Sequence, residues 1–326
     1  MTESHRFKVV IAGSGFENDE PESEQLGDIA DLVHADGESR EALLTEVADA
    51  HAILVDAATI DDEVFAAGPN LKVVTGYGVG IDQIEVDAAA RRGITVCNSP
   101  EAMSTEVAEH AMGLLFALAR QLTFSDADVR LRNTWDPFGK AYRPVVLRGK
   151  NLGIVGFGRT GTRSAGIAAG VGMNLLVFDP LINHEELEIP TDWSIRFCVS
   201  LEEVVSEADA VTLHVPLTDQ TKEMINAETL AKFKRGSLLV NVSRGGVVDQ
   251  DALYDALRSG QLTAAGLDVF VPEPPTWNER LLELPNLILT PHMAWRSEKS
   301  GRQMQSDAAG EVRKILLGET PRWRVV

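Results

Sequence analysis

Four polar side chains in the last third of the sequence follow apolar runs and are of the types that proton transfer needs. Arg244 lies in "LLVNVSRGGVVD", Asp268 and Glu273 lie in "AAGLDVFVPEPP", and His292 lies in "LILTPHMAW". An imidazole titrates near neutrality, and a neighbouring carboxylate stabilises its charged form and raises its pKa. A guanidinium binds a carboxylate through its planar fork. These residues therefore predict acid/base chemistry on a small carboxylic acid.

A glycine motif in the middle of the chain indicates a dinucleotide. In "NLGIVGFGRTGTRSAGIAAGVGMNLLVFDP", Gly156, Gly158 and Gly161 form G-x-G-x-x-G between a strand and a helix. The glycines allow a tight turn, close approach of pyrophosphate to the backbone, and close packing of helix on strand. The next strand ends at Asp179, where a carboxylate accepts hydrogen bonds from ribose hydroxyls and repels a 2′-phosphate. The motif predicts NAD in preference to NADP.

A second glycine cluster, "AGSGFEND" at residues 12–19, also follows a strand. It has Asn18 in place of the third glycine and leads into acidic sequence, which would repel a pyrophosphate. We interpret it as a strand-end turn.

The two sets of residues together predict hydride transfer to a ketone, because the negative charge that develops on oxygen needs a proton donor such as His292. Asp268 is expected to accept a hydrogen bond from the nicotinamide carboxamide, and Arg159 either assists the pyrophosphate or is simply solvated. Structural roles stay open for single residues. His292 could be a packed or capping histidine, Arg244 a structural ion-pair partner, and Glu273 a solvated loop residue.

Eleven short β-branched runs alternate with helical stretches, which predicts an α/β protein with parallel, doubly wound sheets. Eleven strands are too many for one comfortable sheet, so we expect two. Ser99-Pro100 ends a strand, and Ser104 is expected to open a long helix through Arg120. The terminal helix in "SEKSGRQMQSDAAGEVRKILLG" is expected to return to the first domain.

Composition excludes several classes of protein. The 326 residues are 44% hydrophobic and 24% charged, which is typical of a globular chain, and the net charge of −19 argues against a nucleic-acid partner. No apolar run reaches the roughly 18 residues that span a bilayer, and the N-terminus lacks a signal-peptide pattern. Cys97 and Cys198 lie in apolar contexts without metal spacing, so we expect buried free thiols, no metal, and a reducing cytoplasm.

The motifs "GIVGFGRTG", "NVSRGGVVD", "GLDVFVPEP" and "LTPHMAW" resemble, in order, those of the NAD-dependent D-2-hydroxyacid dehydrogenase family. The resemblance implies a Rossmann NAD domain (residues 101–293) inserted into a flavodoxin-like substrate domain (residues 1–100 and 294–326), and a homodimer. It implies Arg244 as substrate binder, Glu273 as partner of the acid/base, and His292 as proton donor.

The resemblance also assigns binding residues. Backbone amides of Gly78, Val79 and Gly80 in "TGYGVGID" would hold the substrate carboxylate, and a glycine-rich strand end independently permits close approach to a ligand. Residues of "LHVPLTDQT" would line the adenosine side of the cofactor. The remaining expected cofactor contacts lie within or beside these motifs: His214, Val215, Pro216, Thr221, Thr160, Val242 and Ser243.

Trp295 bears on the substrate. "PHMAWRSE" is similar to the C-terminal-binding-protein branch, and a tryptophan beside the carbonyl favours an apolar, unphosphorylated substrate. The alternative is that Trp295 packs a domain seam. Gly76 stands where phosphoglycerate dehydrogenases often carry arginine, and the sequence ends at Val326 without an added regulatory domain, so we expect phosphoglycerate to be a poor substrate.

Three hypotheses about function follow. The leading one is an NAD-dependent reductase of small 2-oxo acids that forms the D-alcohol. A second is a member of the same family specific for phosphoglycerate or for hydroxypyruvate and glyoxylate. The third, from another class, is an NADH-sensing dimeric interaction protein of the C-terminal-binding-protein type.

Overall fold

The computed structural model describes residues 6–35, 39–135, 143–276 and 280–326. Within these ranges the chain forms twelve strands and eleven α-helices. The strands are β1 (Phe7–Ala12), β2 (Ala30–Ala35), β3 (Ala52–Val55), β4 (Val73–Gly76), β5 (Thr95–Cys97), β6 (Asn151–Val155), β7 (Asn174–Phe178), β8 (Ile195–Phe197), β9 (Ala210–Leu213), β10 (Ser237–Asn241), β11 (Leu262–Leu267) and β12 (Leu287–Leu289). The helices are α1 (Glu20–Leu26), α2 (Arg40–Val47), α3 (Asp62–Ala67), α4 (Val86–Arg91), α5 (Ser104–Arg120), α6 (Leu122–Leu131), α7 (Arg159–Gly170), α8 (Leu201–Glu207), α9 (Ala227–Lys232), α10 (Gln250–Arg258) and α11 (Ser300–Leu316).

The chain divides into two compact units, and the second is inserted into the first. The first unit is Met1–Met103 with Arg296–Val326, and the second is Ser104–Trp295. From the sequence, we expected the chain to pass between the two units at residues 100/101 and 293/294. The expected α5 helix is present over its full predicted length, and α11 lies within the first unit. The expected α/β class with two parallel sheets is confirmed.

The first unit contains a five-stranded parallel sheet of order β2-β1-β3-β4-β5. Its central strands read as continuous apolar runs because both faces are covered. Val9, Val10, Ile53 and Leu54, for example, are fully buried. Helix α11 packs against α1 and against β3 and β4, so the C-terminal helix completes this unit's core.

The outer edge of β5 is covered by the last residues of the chain. Val325 donates its backbone N–H to the Val96 carbonyl at 2.8 Å, and Asn98 donates to the Trp323 carbonyl at 3.3 Å. The buried carboxylate of Glu311 holds this segment, since its Oε2 accepts from the Trp323 amide at 3.0 Å. The segment therefore closes one edge of the sheet.

The second unit contains a seven-stranded parallel sheet of order β12-β11-β10-β9-β6-β7-β8. Helices α5 and α7 cover one face, where Leu114 and Ala165 are buried, and helices α8 to α10 cover the other, where Val204, Leu230 and Leu253 are buried. All seven strands end at the same edge of the sheet. The order reverses at β6, so a crevice is expected where the ends of β6 and β9 diverge.

Both cysteines are buried free thiols, as the sequence predicted, and burial raises the pKa of Cys97 to about 12. Across the described ranges, no helix combines the length and apolar character needed to cross a membrane. In the same ranges, no three His, Cys, Asp or Glu side chains are grouped so that they could hold a metal ion.

Candidate active site

The glycine motif forms a tight turn between β6 and α7. Gly156 has a φ of +90°, and a Cβ there would lie 2.6 Å from the carbonyl oxygen of His214. A Cβ on Gly161 would lie 2.1 Å from the Gly156 carbonyl oxygen. Both positions therefore require glycine for internal reasons: a left-handed backbone and close approach of the His214 carbonyl at Gly156, and close packing of α7 on the turn at Gly161.

Gly158 differs, because packing within the protein does not require a glycine there. Its φ is −72°, and a Cβ would meet no heavy atom within 4 Å. It precedes α7, which has no side-chain cap, whereas α8 is capped by Ser200 and α10 by Asp249. The uncapped first amides of α7 and the bare backbone at Gly158 fit a pyrophosphate. Arg159, the first residue of α7, is exposed, and Thr160 beside it is half-buried.

Asp179 lies directly after β7 and braces the glycine turn. Its Oδ2 accepts a hydrogen bond from the Phe157 amide at 2.8 Å, and its Oδ1 accepts from the Leu181 amide at 2.9 Å. The carboxylate is half-buried. Each carboxylate oxygen can accept more than one hydrogen bond, so the residue keeps capacity for ribose hydroxyls.

His214 follows β9 beside the glycine turn. Its backbone N–H donates to the Val155 carbonyl at 2.7 Å, and its Nε2 lies 3.1 Å from the Thr212 hydroxyl. Its Nδ1 is buried and has no hydrogen-bond partner among the described residues. Burial lowers the pKa of His214 to about 4, so the ring is neutral at physiological pH. A neutral, buried ring with an unpaired nitrogen suits cofactor contact better than proton donation.

The other expected cofactor contacts follow the neighbouring strands. Val215 is half-buried and Pro216 is exposed, and Thr221 holds their loop closed because its hydroxyl donates to the Pro216 carbonyl at 2.5 Å. After β10, Val242 is buried, and the Ser243 hydroxyl donates to Asn241 Oδ1 at 2.8 Å.

His292 and Glu273 form a direct pair. His292 Nδ1 lies 2.6 Å from Glu273 Oε2, and the side chains are 44% and 35% exposed, so the pair reaches solvent. The hydrogen bond to Glu273 raises the pKa of His292 above its ordinary value of 6.5, although burial opposes it. Because Nδ1 is engaged, Nε2 is the nitrogen left to exchange a proton with a ligand.

Burial raises the pKa of Glu273, but the hydrogen bonds from His292 and from the Phe270 amide outweigh it and bring the pKa below its usual value. The Arg244 guanidinium adds to this lowering and opposes the rise at His292, so its charge acts on both members of the pair. Arg244 is half-buried, and its Nη1 donates to the Ser243 carbonyl at 2.8 Å.

Asp268 accepts hydrogen bonds from three groups of the segment around His292. It is fully buried, and its Oδ1 accepts from the Thr290 hydroxyl at 2.5 Å and from the Met293 amide at 3.0 Å. Its Oδ2 accepts from the Ala294 amide at 2.9 Å. The carboxylate thus holds the turn that carries His292, and its predicted contact with the nicotinamide carboxamide stays a prediction.

Sequence reasoning missed Thr290, whose hydroxyl anchors this turn, because a threonine at the end of a strand has no distinguishing local signal.

Trp295 is the last residue of the second unit and is half-buried. Its predicted contact with the substrate stays a prediction.

The strand order separates the second unit's site residues into two groups along one sheet edge. Residues after β10, β11 and β12 supply the guanidinium, the carboxylates and the solvent-accessible imidazole. Residues after β6, β7 and β9 supply the glycine turn, Asp179 and the neutral His214. The groups are adjacent because β10 pairs with β9. Such an edge can hold a dinucleotide at one end and exchange a proton at the other.

The loop with Gly78, Val79 and Gly80 follows β4 in the first unit. Its carbonyls are taken up internally: Ser99 donates its amide to the Gly78 carbonyl at 3.1 Å, and the Asn98 side chain donates to the Val79 carbonyl at 2.8 Å. Val79 is 46% exposed. The predicted binding of a substrate carboxylate by the amides of this loop stays a prediction.

Comparison with known proteins gives consistent results. Residues 112–294 match the family model "D-isomer specific 2-hydroxyacid dehydrogenase, NAD binding domain". The chain is 38% identical over 295 residues to a D-3-phosphoglycerate dehydrogenase of Methanocaldococcus jannaschii, covering 90% of this chain and 55% of that protein. The chain spans about half the length of the phosphoglycerate dehydrogenases it matches.

Two further relatives match over most of their length. A hydroxypyruvate reductase of Thermotoga maritima is 36% identical over 280 residues, covering 85% of this chain and 88% of that protein. The crystal structure of a D-lactate dehydrogenase from Aquifex aeolicus, complexed with NAD and lactic acid, superposes with a TM-score of 0.84 at 28% identity and covers 95% of this chain and 96% of that one.

Proposed function

Because the chain belongs to the D-isomer specific 2-hydroxyacid dehydrogenase family, with residues 112–294 as its NAD-binding domain, we propose that it is an NAD-dependent 2-oxo acid reductase. It interconverts a small, unphosphorylated 2-oxo acid and the D-2-hydroxy acid. The observation that carries the proposal is the 2.6 Å pair of His292 with Glu273, at the same sheet edge as the glycine turn.

The glycine turn and Asp179 would hold NADH, which when bound would supply the hydride for the carbonyl carbon. His292 donates a proton from Nε2 to the carbonyl oxygen, which together with the hydride on carbon completes reduction of the C=O group to an alcohol. Glu273 keeps the ring oriented through Nδ1 and stabilises the charged form before transfer. In the reverse direction the neutral ring accepts the proton from the alcohol.

Several residues are proposed to bind the substrate. Arg244 binds the substrate carboxylate through its guanidinium and polarises the adjacent carbonyl. The backbone amides of Gly78, Val79 and Gly80 are proposed, on the family resemblance, as donors to a substrate carboxylate. Trp295 contacts the substrate side chain and favours an apolar one.

The cofactor assignments have different degrees of structural support. The bare backbone at Gly158 and the uncapped start of α7 fit the pyrophosphate, and Asp179 fits the ribose hydroxyls and excludes a 2′-phosphate. Steady-state rates should therefore be higher with NADH than with NADPH at equal concentration. The proposed contacts of the remaining residues rest on the family resemblance: Arg159, Thr160, Gly161, His214, Val215, Pro216, Thr221, Val242, Ser243 and Asp268.

The test is turnover on a panel of oxo acids. Purified protein with NADH should reduce glyoxylate, hydroxypyruvate or a 2-oxo acid of four to six carbons, followed by loss of NADH absorbance. His292→Ala should lower kcat by about 100-fold or more, because general acid catalysis is lost. His34→Ala, which removes an exposed histidine of the first unit, is the matched control and should keep wild-type rates. Full activity of His292→Ala would refute the assignment.

The same panel separates the alternatives. Phosphohydroxypyruvate as the best substrate would favour a phosphoglycerate-specific enzyme, in line with the relatives of that name. Tight NADH binding with no turnover on any oxo acid would favour the NADH-sensing interaction protein.

We also propose a homodimer. Helix α6 has no buried residue. Its last residue, Leu131, is 79% exposed, and Trp135, four residues further along the chain, is 82% exposed. Apolar side chains exposed to this degree on one segment mark an interaction surface, and the family resemblance supports a second copy as its occupant. Sedimentation should show a dimer that Leu131→Glu converts to monomer.

A cytoplasmic location is the corresponding proposal for the cell. It is supported by two buried thiols that are free, since reducing compartments preserve such thiols. Fractionation of the source cells, with immunodetection of the chain, tests it.

A further inference from the structure

The buried Asp268 carboxylate depends on a side chain from a distant helix. His110 lies on α5, and its Nε2 is 2.9 Å from the Thr290 hydroxyl oxygen and 3.5 Å from Asp268 Oδ1. The His110 side chain is 21% exposed. Residues 110, 268 and 290 thus form one cluster beneath the turn that carries His292.

The direction of the hydrogen bonds in this cluster is determined by chemistry. Thr290 donates its hydroxyl proton to Asp268 Oδ1, whose partner oxygen, Oδ2, accepts the Ala294 amide. The Thr290 oxygen can then accept, so His110 Nε2 must carry the proton and donate. His110 therefore donates to Thr290, and Thr290 donates to Asp268, so that each hydrogen bond polarises the next.

His292 needs such support because its backbone is strained. Its φ is +47°, in the left-handed region, which costs a residue with a Cβ about 1–2 kcal/mol. The conformation persists because hydrogen bonds surround it. The His292 amide donates to the Asp268 carbonyl at 2.9 Å, and the next two amides, of Met293 and Ala294, donate to the Asp268 carboxylate. The carboxylate can hold those amides only while its own rotamer is fixed.

We propose that His110 is a positioning residue for the reaction: its Nε2–H orients the Thr290 hydroxyl and, through it, the Asp268 carboxylate and the turn that presents His292. The catalytic consequence rests on the proposed function, whereas the structural consequence does not. His110 touches neither the reacting atoms nor the cofactor in this scheme. It acts through the geometry of His292.

Three variants test the kinetic consequence. His110→Leu removes the donor at similar volume, His110→Gln restores an N–H donor, and Glu109→Gln changes an exposed neighbour on the same helix. We expect kcat to fall about tenfold in His110→Leu with the KM for NADH within about twofold, because misplaced acid groups slow chemistry more than binding. His110→Gln should recover most of the loss, and Glu109→Gln should match wild type. A wild-type kcat in His110→Leu would overturn the inference.

A second readout does not need turnover. The imidazole Cε1–H of His292, assigned by its absence in His292→Ala, can be titrated by NMR. Glu273, Arg244 and Asp268 are the charged groups that act on this ring. If the turn loosens in His110→Leu, the pairing with Glu273 weakens and the pKa of His292 should fall towards 6.5. A titration that is unchanged or shifted upward would overturn the inference.

The two readouts keep the proposals distinguishable. If wild type reduces no oxo acid but His110→Leu lowers the pKa of His292, the proposed function fails and the positioning role stands. If wild type is active and neither readout changes, the function stands and the positioning role fails. Should His110→Leu not fold, Thr290→Val carries the same test, because it removes the intermediate hydroxyl at nearly constant shape.

Discussion

Two histidines follow parallel strands of the same seven-stranded sheet, and their surroundings shift their pKa values in opposite directions. His292, after β12, reaches solvent and pairs with Glu273, and this hydrogen bond raises its pKa. His214, after β9, has one buried nitrogen that finds no partner among the residues that the structure describes, and burial lowers its pKa to about 4. One end of the sheet edge thus favours a charged imidazole, and the neighbouring region favours a neutral one.

The difference shows that position at a strand end does not assign a chemical role. Both residues satisfy the rule that ligands bind at the carboxyl ends of parallel strands. A carboxylate partner distinguishes a proton donor from a ring that packs against a ligand, because the proton donor must hold its charge near the working pH.

Among the variants that compare the surroundings of the two histidines, Glu273→Gln should have the largest effect. The amide cannot stabilise imidazolium as a carboxylate does, so the pKa of His292 should return to its ordinary range. At pH 8 only a few per cent of such a ring is protonated, so reduction should slow about 30-fold to 100-fold, and less at pH 6. Rates of oxo acid reduction between pH 6 and 9 measure this. If the rate of Glu273→Gln declines at the same alkaline pH as that of wild type, the His292–Glu273 pair is not the proton donor.

The sign of the wild-type profile follows from the same shift. Reduction requires protonated His292, so its rate should stay high above pH 6.5 and fall as pH rises through the raised pKa. Oxidation of the hydroxy acid requires the neutral ring and should show the opposite trend.

His214 should affect acid stability and leave the pH–rate profile in place. An unfolded histidine titrates near 6.5 and the folded one near 4, so the stability present above pH 6.5 is lost as pH falls towards 4. At pH 5 the loss amounts to about 2 kcal/mol. His214→Gln should lack this part of the pH dependence in urea unfolding at pH 7 and pH 5. Equal pH slopes in variant and wild type would contradict the low pKa.

Replacing Asp179 should change nucleotide binding alone. Asp179→Ser removes the acceptor for ribose hydroxyls and the repulsion of a 2′-phosphate. The KM for NADH should rise about tenfold, which corresponds to one lost hydrogen-bonded interaction. Use of NADPH should improve, and the basic limb of the rate profile should not move. A shift of that limb would mean that the two ends of the edge are coupled.

Gly158→Ala should have the smallest effect. The Cβ projects into open space, so the free energy of unfolding should change by about 1 kcal/mol or less. NADH binding should weaken a few-fold if pyrophosphate approaches this backbone. Gly161→Ala is the contrasting variant: its Cβ would lie 2.1 Å from the Gly156 carbonyl oxygen, so it should destabilise the fold itself. Calorimetric titration with NADH, with thermal unfolding in parallel, separates the two effects.

Most of the fold was predictable because buried parallel strands are continuous apolar runs. The strand that sequence reasoning missed, β8, lies at the edge of the second sheet and has only three residues, Ile195–Phe197. Arg196 at its centre is exposed, so the segment has neither the length nor the unbroken apolar character of a central strand. Edge strands that pair on one side only do not need that pattern.

The site was predictable as far as residue type and strand-end position determine it. The short distance from His292 to Glu273 follows from β11 and β12 being neighbours. The partners of Asp268 could not be predicted, because they depend on backbone amides that turn inward only when His292 adopts a positive φ. The role of His110 could not be predicted for another reason. It lies in the apolar helix α5, where the sequence does not distinguish a functional histidine from one that only packs in the core.

The covered edge of β5 has a consequence for how the protein behaves at high concentration. An open strand offers unpaired amides to any extended chain nearby, which is a common route to aggregation. Strand β5 (Thr95–Cys97) has no charged residue to discourage such pairing. Residues 323–326 occupy its open edge instead, so another extended chain cannot pair there. The buried carboxylate of Glu311, the backbone bonds to Val96 and the Arg322–Glu101 ion pair together hold this short tail in place, so loosening the tail should make the first unit more prone to aggregate.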